Sequence, residues 1–335
     1  MPVLNSHPPF VCVENHRVVG WTPDDPFVLG KRTKTRVFPE KRALDQIGGA
    51  DAAHALYDDE AVGTRLVERS IEWLCKHRGG PFFLYLATTQ IHHSFTPAPR
   101  FRGSSQCGIY GDFVHEMDWM VGEIMNTLKG LNLEENTLVV LTSDNGGMFN
   151  GGGQDAWRAG HRLNGPLLGF KFGAWEGGHR VPFIVRWPGR VPAGSTSNAL
   201  ISHIDLMATL AALVRQPLGE SEGPDSYNLL SAWIDSRPDR GRESLVLAVL
   251  RLTHLAIRHG KWVYIGARGS GGFRGRKGNR YERGGPGALL LTGEVNSGIE
   301  EGRLKAGAPP GQLYDLESDH RGSTCIIGIL SGSKR

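Results

Sequence analysis

The sequence predicts an α/β protein in which a mainly parallel sheet is sandwiched by helices and followed by a small C-terminal antiparallel sheet. Three observations carry this. Amphipathic helical stretches alternate with short apolar runs between Ala61 and Thr142, in the order helix, strand, helix, strand. Thr137–Thr142, TLVVLT, is an apolar β-branched run of the kind buried on both faces of a parallel sheet, and it stops abruptly at Ser143-Asp144-Asn145-Gly146-Gly147. Beyond Glu243 the pattern changes to short segments, Leu245–Leu250, Leu255–Arg258 and Trp262–Ile265, as in antiparallel hairpins. The Pro, Gly, Ser and charge-rich stretch Gln216–Arg242 separates the two patterns. The domains are therefore expected at 1–240 and 241–335.

Taken in order, Phe10–Val19 reads as a short extended segment, and Trp21–Asp51, without sustained periodicity, as a long surface excursion. Val62, Leu66, Ile71, Trp73 and Leu74 make Ala61–His77 an amphipathic helix that follows the acidic Asp58-Asp59-Glu60 and stops at Gly79-Gly80. Pro81–Thr88, PFFLYLAT, is expected as a buried strand. Tyr110–Leu131 is the clearest helix: Phe113, Met117, Met120, Val121, Ile124, Met125 and Leu128 recur at three- and four-residue steps, with Asp112 as N-cap and Gly130 near the end. Its methionines are core. Gln154–Leu168 reads as a flexible rim, Ser202–Val214 as a further helix, and Gly266–Gly287 as a mobile Gly- and Arg-rich surface loop.

The chain has 335 residues, 39% of them hydrophobic, which is enough for a large core and argues for one large domain plus a smaller one. A formal charge of +4 is small for this length, so no global field points to nucleic acid or membrane. No apolar run is long enough to span a bilayer. MPVLNSHPPF has neither the basic nor the apolar region of a secretory signal. Cys12, Cys75, Cys107 and Cys325 are scattered without CxxC spacing and are expected as small apolar side chains.

The chemistry concentrates between Thr137 and Pro182. Asp144 and Asn145 place a carboxylate and an amide oxygen at the carboxyl end of a buried strand, and Gly146-Gly147 lets the backbone turn tightly. Such oxygens suit calcium or magnesium better than zinc. The same residues would equally serve as an Asx-turn closing a strand. Downstream, Trp175-Glu176-Gly177-Gly178-His179-Arg180-Val181-Pro182 leads into the apolar run Phe183–Trp187, as a loop returning to a sheet edge beside a polar pocket would.

LTSDNGG, the lysine four residues before WEGGHRVPF, and SHIDLMATLAAL together resemble the sulfatase family, in its arylsulfatase-like branch of the alkaline-phosphatase-like superfamily. The resemblance runs from about Phe10 to about His320, and the two central motifs are specific as a pair. It implies sulfuric ester hydrolysis, with a sulfate ester of a small molecule or a sulfated glycan as substrate. It places Asp144 and Asn145 as calcium ligands, Lys171 against the sulfate and the leaving oxygen, and His92 as the histidine that hydrogen-bonds the sulfate ester. Ser94 stands where the family often has proline, so His93 is the alternative register for His92. The plain reading is a pair of loop histidines and an ordinary solvated lysine. His179 and Arg180 are expected to be structural, and Asp205 to belong to the family's SHxDL signature. Members are often exported, which leaves the compartment open.

The family's nucleophile, a formylglycine made in a C/S-x-P-x-R signature after an Asp-Asp pair, has no counterpart in that context here. Ser236-Arg237-Pro238-Asp239-Arg240 matches the spacing but follows the Asp-Asn motif, and a pattern with three fixed positions arises readily by chance. Gly260-Lys261-Trp262 mimics the family's GKWH segment without its histidine. Asp24-Asp25 and Asp58-Asp59 do not follow buried strands. The expectation is an incomplete catalytic domain, 1–240, inactive as it stands. The alternatives are a phosphodiesterase or phosphonate hydrolase of the same superfamily and a non-catalytic remnant that binds sulfated glycan. RNA binding through Gly266–Gly287 is the most distant reading.

Overall fold

The computed structural model describes residues 9–28, 48–234, 241–273 and 282–327. Two compact units emerge: residues up to Glu134 with Arg158–His161, and Glu135–Trp157 with Arg162 onward. Most of the excursion expected at Trp21–Asp51 falls outside the described residues.

In the first unit, β1 (Val13–Glu14) and β2 (Arg17–Val18) form a hairpin turned by Asn15 and His16, both at positive φ. β3 (Phe27–Val28) pairs antiparallel with β4 (Gly48–Gly49), and α1 (Asp51–Ala55) follows. Two longer helices make the main packing. α2 (Val62–His77) is preceded by a single 3-10 turn, Asp59–Ala61, capped by Asp58, whose carboxylate accepts the Glu60 N–H. Its residues Val62, Leu66 and Val67 bury against Met120 of α3 (Gly108–Gly130). The helices approach so closely that a Cβ on Gly63 would lie 2.4 Å from both Gln90 Nε2 and Glu116 Oε1. Glu116 is fully buried, accepts the Ala98 N–H, and has its pKa raised by burial.

Two expectations for this unit change. Asp112 is not the N-cap of α3, which begins four residues earlier; its carboxylate accepts the Gly103 and Ser105 N–H groups and ties the preceding loop to the helix. Pro81–Thr88 runs without pairing into a ladder among the described residues. Leu86 packs on the α2–α3 cluster, while Phe83 and Tyr85 are 74% and 80% exposed. Alternating apolar residues favour an extended chain, but a ladder also needs a neighbour with a matching edge.

In the second unit, the TLVVLT run becomes β5 (Val139–Thr142), preceding α4 (Gly151–Arg158), and pairs antiparallel with β6 (Phe183–Arg186), Val139 opposite Arg186 and Thr142 opposite Phe183. The ladders among the described residues are all antiparallel. Val140, Phe183 and Val185 pack on Leu229 and on Ala232 and Trp233 of α6 (Leu230–Ile234), together with Leu206 of α5 (Leu206–Leu213). The SHxDL aspartate explains itself structurally. Asp205 completes a capping box with Ser202, accepts the Tyr227 N–H and takes a bidentate bond from Arg242, both side chains being almost fully buried. α4 replaces part of the expected rim: Asn150 accepts the Gly153 and Gln154 N–H groups, and Ala156 and Trp157 are buried. Three glycines at its start, poor helix formers, masked it in the sequence.

The expected C-terminal sheet is present. β7 (Ser244–Leu247), β8 (Ala256–His259) and β9 (Trp262–Ile265) join β12 (Gln312–Asp315) in the order β12-β9-β8-β7, after α7 (Leu289–Thr292) and the short β10 (Ile299–Glu300) and β11 (Arg303–Leu304) hairpin. Ala256, Val263, Ile265 and Tyr314 form its inner face and pack on Leu168, Trp175, Leu289 and Ile299. Gly266 and Arg268 are exposed as expected of the Gly266–Gly287 loop, but residues 269–272 and 284–285 are buried rather than surface: the Ser270 carbonyl accepts the Ala174 N–H, and Gly284 lies against the Phe170 ring. Among the described residues no helix is long and apolar enough to cross a membrane.

Candidate functional site

The two glycine pairs singled out in the sequence are interlocked. Leaving β5, the chain is tied by the Thr142 hydroxyl to the Pro182 carbonyl at 2.9 Å and to His203 Nε2 at 2.8 Å. Gly146 then donates its N–H to the Gly178 carbonyl at 3.1 Å, and a Cβ on Gly146 would stand 1.9 Å from the Gly177 carbonyl oxygen. Gly177 and Gly178 are hemmed in likewise: a Cβ on either would stand 2.2 Å from a carbonyl oxygen, that of Gly169 and that of Gly173 respectively. At Gly146, Gly177 and Gly178 main chains pass too closely for any side chain, whereas Gly147 is confined by the Leu163 side chain, 2.9 Å from where its Cβ would stand. Asn164 completes the clasp, accepting the Gly147 N–H at 2.6 Å and donating to the Gly169 carbonyl at 2.8 Å.

Lys171 belongs to this clasp. Its N–H donates to the Gly147 carbonyl at 2.9 Å, and its ammonium stands 5.3 Å from the Phe172 ring centre. Phe172 adopts φ +79°, a conformation costly for a side chain with a Cβ and one that persists only where neighbours enforce it. Here Leu250 donates to its carbonyl and Phe273 packs edge-on against its ring. Just beyond, Glu176 is buried and paired with Arg258 at 3.4 Å and Arg180 at 3.5 Å. His179 bonds the Ala174 carbonyl through Nε2, and burial lowers its pKa, keeping it neutral at pH 7.

Asp144 is exposed and Asn145 half-buried; the Asn145 amide donates to the Gly146 carbonyl, leaving its oxygen available among the described residues. Calcium takes about six to eight oxygen ligands, and no cluster of three or more His, Cys, Asp or Glu suited to a metal occurs among the described residues. Asp144 and Asn145 alone do not make a calcium site. The structure brings Asp144, Asn145 and Lys171 into one loop cluster of the second unit. His92 lies in the first unit, half-buried in the turn after the extended run, with its N–H on the Thr89 carbonyl and its ring stacked on His93 at 4.4 Å.

Ser236–Arg240 lies outside the described residues. Lys261 of the GKW segment occupies the β8–β9 turn and pairs with Asp315 and Glu317, each at 3.1 Å, a structural use. None of the four cysteines is in a disulfide. Sequence reasoning missed Asn164, which closes the clasp, and the pairing of Glu176 with Arg258 beside it. Only Asn164, in an Asn-Gly turn signal, carried a local hint; the others act across long sequence separations.

The Sulfatase family model matches residues 22–216. An N-acetylgalactosamine-6-O-sulfatase of Bacteroides thetaiotaomicron is 37% identical over 291 residues, covering 79% of this chain and 56% of that protein. Rat steryl-sulfatase is 38% identical over 173 residues, 52% of this chain and 30% of its own length. A solved structure from work on the metabolism of multiple glycosaminoglycans by Bacteroides thetaiotaomicron superposes with a TM-score of 0.76 at 31% identity, covering 97% of this chain and 67% of that one. It agrees with the α/β, alkaline-phosphatase-like fold class expected from the sequence. The chain spans about half or less of the length of these two curated relatives.

Proposed function

Because the chain belongs to the sulfatase family, we propose that these 335 residues carry the sulfate-binding part of a sulfuric ester hydrolase acting on a sulfated glycan. The observation that carries the reading is the bond from the Lys171 N–H to the Gly147 carbonyl. It fixes the backbone of the lysine motif to the glycine pair that follows Asp144 and Asn145. In this reading the Lys171 ammonium neutralises charge on the sulfate oxygens and the leaving oxygen, in a setting where a charge-assisted hydrogen bond is strong. Asp144 and Asn145 contribute oxygens toward a calcium ion that needs further carboxylates to bind, and no step here is routed through it.

Hydrolysis also needs a nucleophile, and losing one costs on the order of a millionfold in rate. The 335 residues on their own are therefore proposed to bind a sulfate ester without turning it over. Calorimetric titration with N-acetylgalactosamine 6-sulfate, beside the unsulfated sugar and a phosphonate monoester, tests this. The sulfated sugar should bind best, and Lys171→Met should weaken it about 10- to 100-fold, the value of a hydrogen bond to a charged group. Equal binding with and without the sulfate would overturn the reading. Tighter binding of the phosphonate would replace it with phosphonate hydrolysis.

A further inference from the structure

The inner face of the C-terminal sheet holds a buried polar network with no counterpart in the roles assigned so far. Gln312, 5% exposed on β12, accepts from Trp175 Nε1 at 3.3 Å and from the Tyr314 hydroxyl, while its amide nitrogen donates to the Ala267 carbonyl and to the Gly269 carbonyl at 2.9 Å. Asn296 donates to the Tyr314 oxygen at 3.0 Å. Both lone pairs of the Gln312 amide oxygen and both of its N–H groups are thus used in one orientation: oxygen toward the indole and the Tyr314 hydroxyl, nitrogen toward two carbonyls. A glutamate of the same shape would face two carbonyl oxygens with a carboxylate, and an apolar residue would leave buried partners unsatisfied.

What the amide holds is Trp175. The indole is 2% exposed and its Cβ lies against Gly169, 2.9 Å from where a side chain on that glycine would begin. Gly169 stands two residues before Lys171 and receives the Asn164 amide. On the other side, Ala174 donates to the Ser270 carbonyl at 2.7 Å and Leu250 to the Phe172 carbonyl. The backbone after Lys171, including the positive φ of Phe172, is therefore pinned by residues beyond Glu243, and the backbone before it by Asn164 and by Trp175, whose indole bonds Gln312. Little else in this network needs so specific a polar group: the same face is otherwise filled by Ala256, Val263, Ile265 and Leu316.

We propose that Gln312 is a positioning residue for Lys171, acting through Trp175, so that the C-terminal sheet sets the geometry of the sulfate-binding loop. The proposal rests on the role given above to Lys171. Gln312 touches no substrate; it fixes the indole that fixes the loop.

The test uses the whole chain with Gln312→Glu, the milder Trp175→Phe, which removes only the indole contacts, and each combined with Lys171→Met. Two readouts are taken: affinity for N-acetylgalactosamine 6-sulfate, and hydrogen exchange at the Lys171 amide with β5 amides as reference. Each single change should weaken binding about tenfold, and should add less than about twofold once Lys171→Met is present, the signature of coupled residues. The Lys171 amide should exchange at least about tenfold faster while β5 is unchanged. Equal weakening with and without Lys171 would make Gln312 merely structural and overturn the proposal. An unchanged Lys171 amide in Trp175→Phe, which keeps the fold if Gln312→Glu does not, would overturn it too. If Lys171→Met alone leaves affinity untouched, the sulfate-binding reading falls, and with it the functional role of Gln312, whatever the amide shows.

Discussion

Substituting Gly146 by alanine adds a single methyl at the place where the two motifs cross. That carbon would lie 1.9 Å from the Gly177 carbonyl oxygen, 2.9 Å from its carbon and 3.2 Å from the Gly178 carbon, all main-chain atoms that cannot rotate away. Restoring ordinary contact requires the loops to separate by more than about 1 Å. The Gly146-to-Gly178 bond is then lost and the Lys171-to-Gly147 bond stretched, from 3.1 and 2.9 Å. Overpacking costs about 1–3 kcal/mol and two weakened hydrogen bonds about 1 kcal/mol each, a total of about 3 kcal/mol at the least. Hydrogen exchange of peptides spanning 139–150 and 168–186 reads this locally, with α2 as an internal reference. About 100-fold faster exchange is expected in both peptides and none in α2. Gly122→Ala, in an α3 position with nothing within 4 Å, is the matched control and should be neutral or stabilising by up to about 1 kcal/mol. Gly146→Ala exchanging within about twofold of the parent would show that the motifs are not interlocked.

Other outcomes follow from the same structure. Asp205→Asn leaves the buried Arg242 guanidinium without its counter-charge, and should cost about 3–5 kcal/mol by urea denaturation; a change under about 1 kcal/mol would deny the pair its structural role. Burial is the main cause that raises the Glu294 carboxyl from 4.5 to about 7, against weaker pulls from Thr292, Arg162 and Arg321. The fold then binds this proton more tightly than the unfolded chain does, so its stabilising contribution is full below about pH 4.5 and is lost as pH rises through about 7, by at most about 3 kcal/mol. Glu294→Gln should flatten thermal stability across that window, and an unchanged pH profile would refute the assignment. Glu176 provides a further check: Arg258→Met leaves it with only the exposed Arg180, and should speed exchange of the 176–180 turn about tenfold or more without altering α2.

The parts of this architecture that were legible in the sequence are those written in local pattern. The 3.6-residue periodicity of α2 and α3, the apolar burst of β5 and the alternating segments of β7, β8 and β9 all became elements close to where they were expected. Direction was not legible, because an apolar run says that a strand is buried but not which way its neighbour runs; β5 meets β6 antiparallel after the loop doubles back. The extended run at Pro81–Thr88 was legible as extended and not as unpaired, since pairing depends on a partner elsewhere in the chain. Asp144, Asn145 and Lys171 could be nominated as candidates because each sits in a contiguous motif, and the structure places them in one loop cluster. The reason for Gly146, Gly177 and Gly178, backbone passing close to backbone, needed coordinates. Glu176–Arg258 and Trp175–Gln312 join residues 82 and 137 positions apart, a separation at which local pattern carries no information.

The loop cluster around Lys171 is proposed to receive a sulfate group. A crystal structure of the chain grown with N-acetylgalactosamine 6-sulfate tests it most directly. The account predicts sulfate oxygens within about 3 Å of Lys171 Nζ, on the side of the clasp that carries Asp144 and Asn145. A sulfated sugar bound elsewhere, with the Lys171 ammonium left facing solvent, would contradict it.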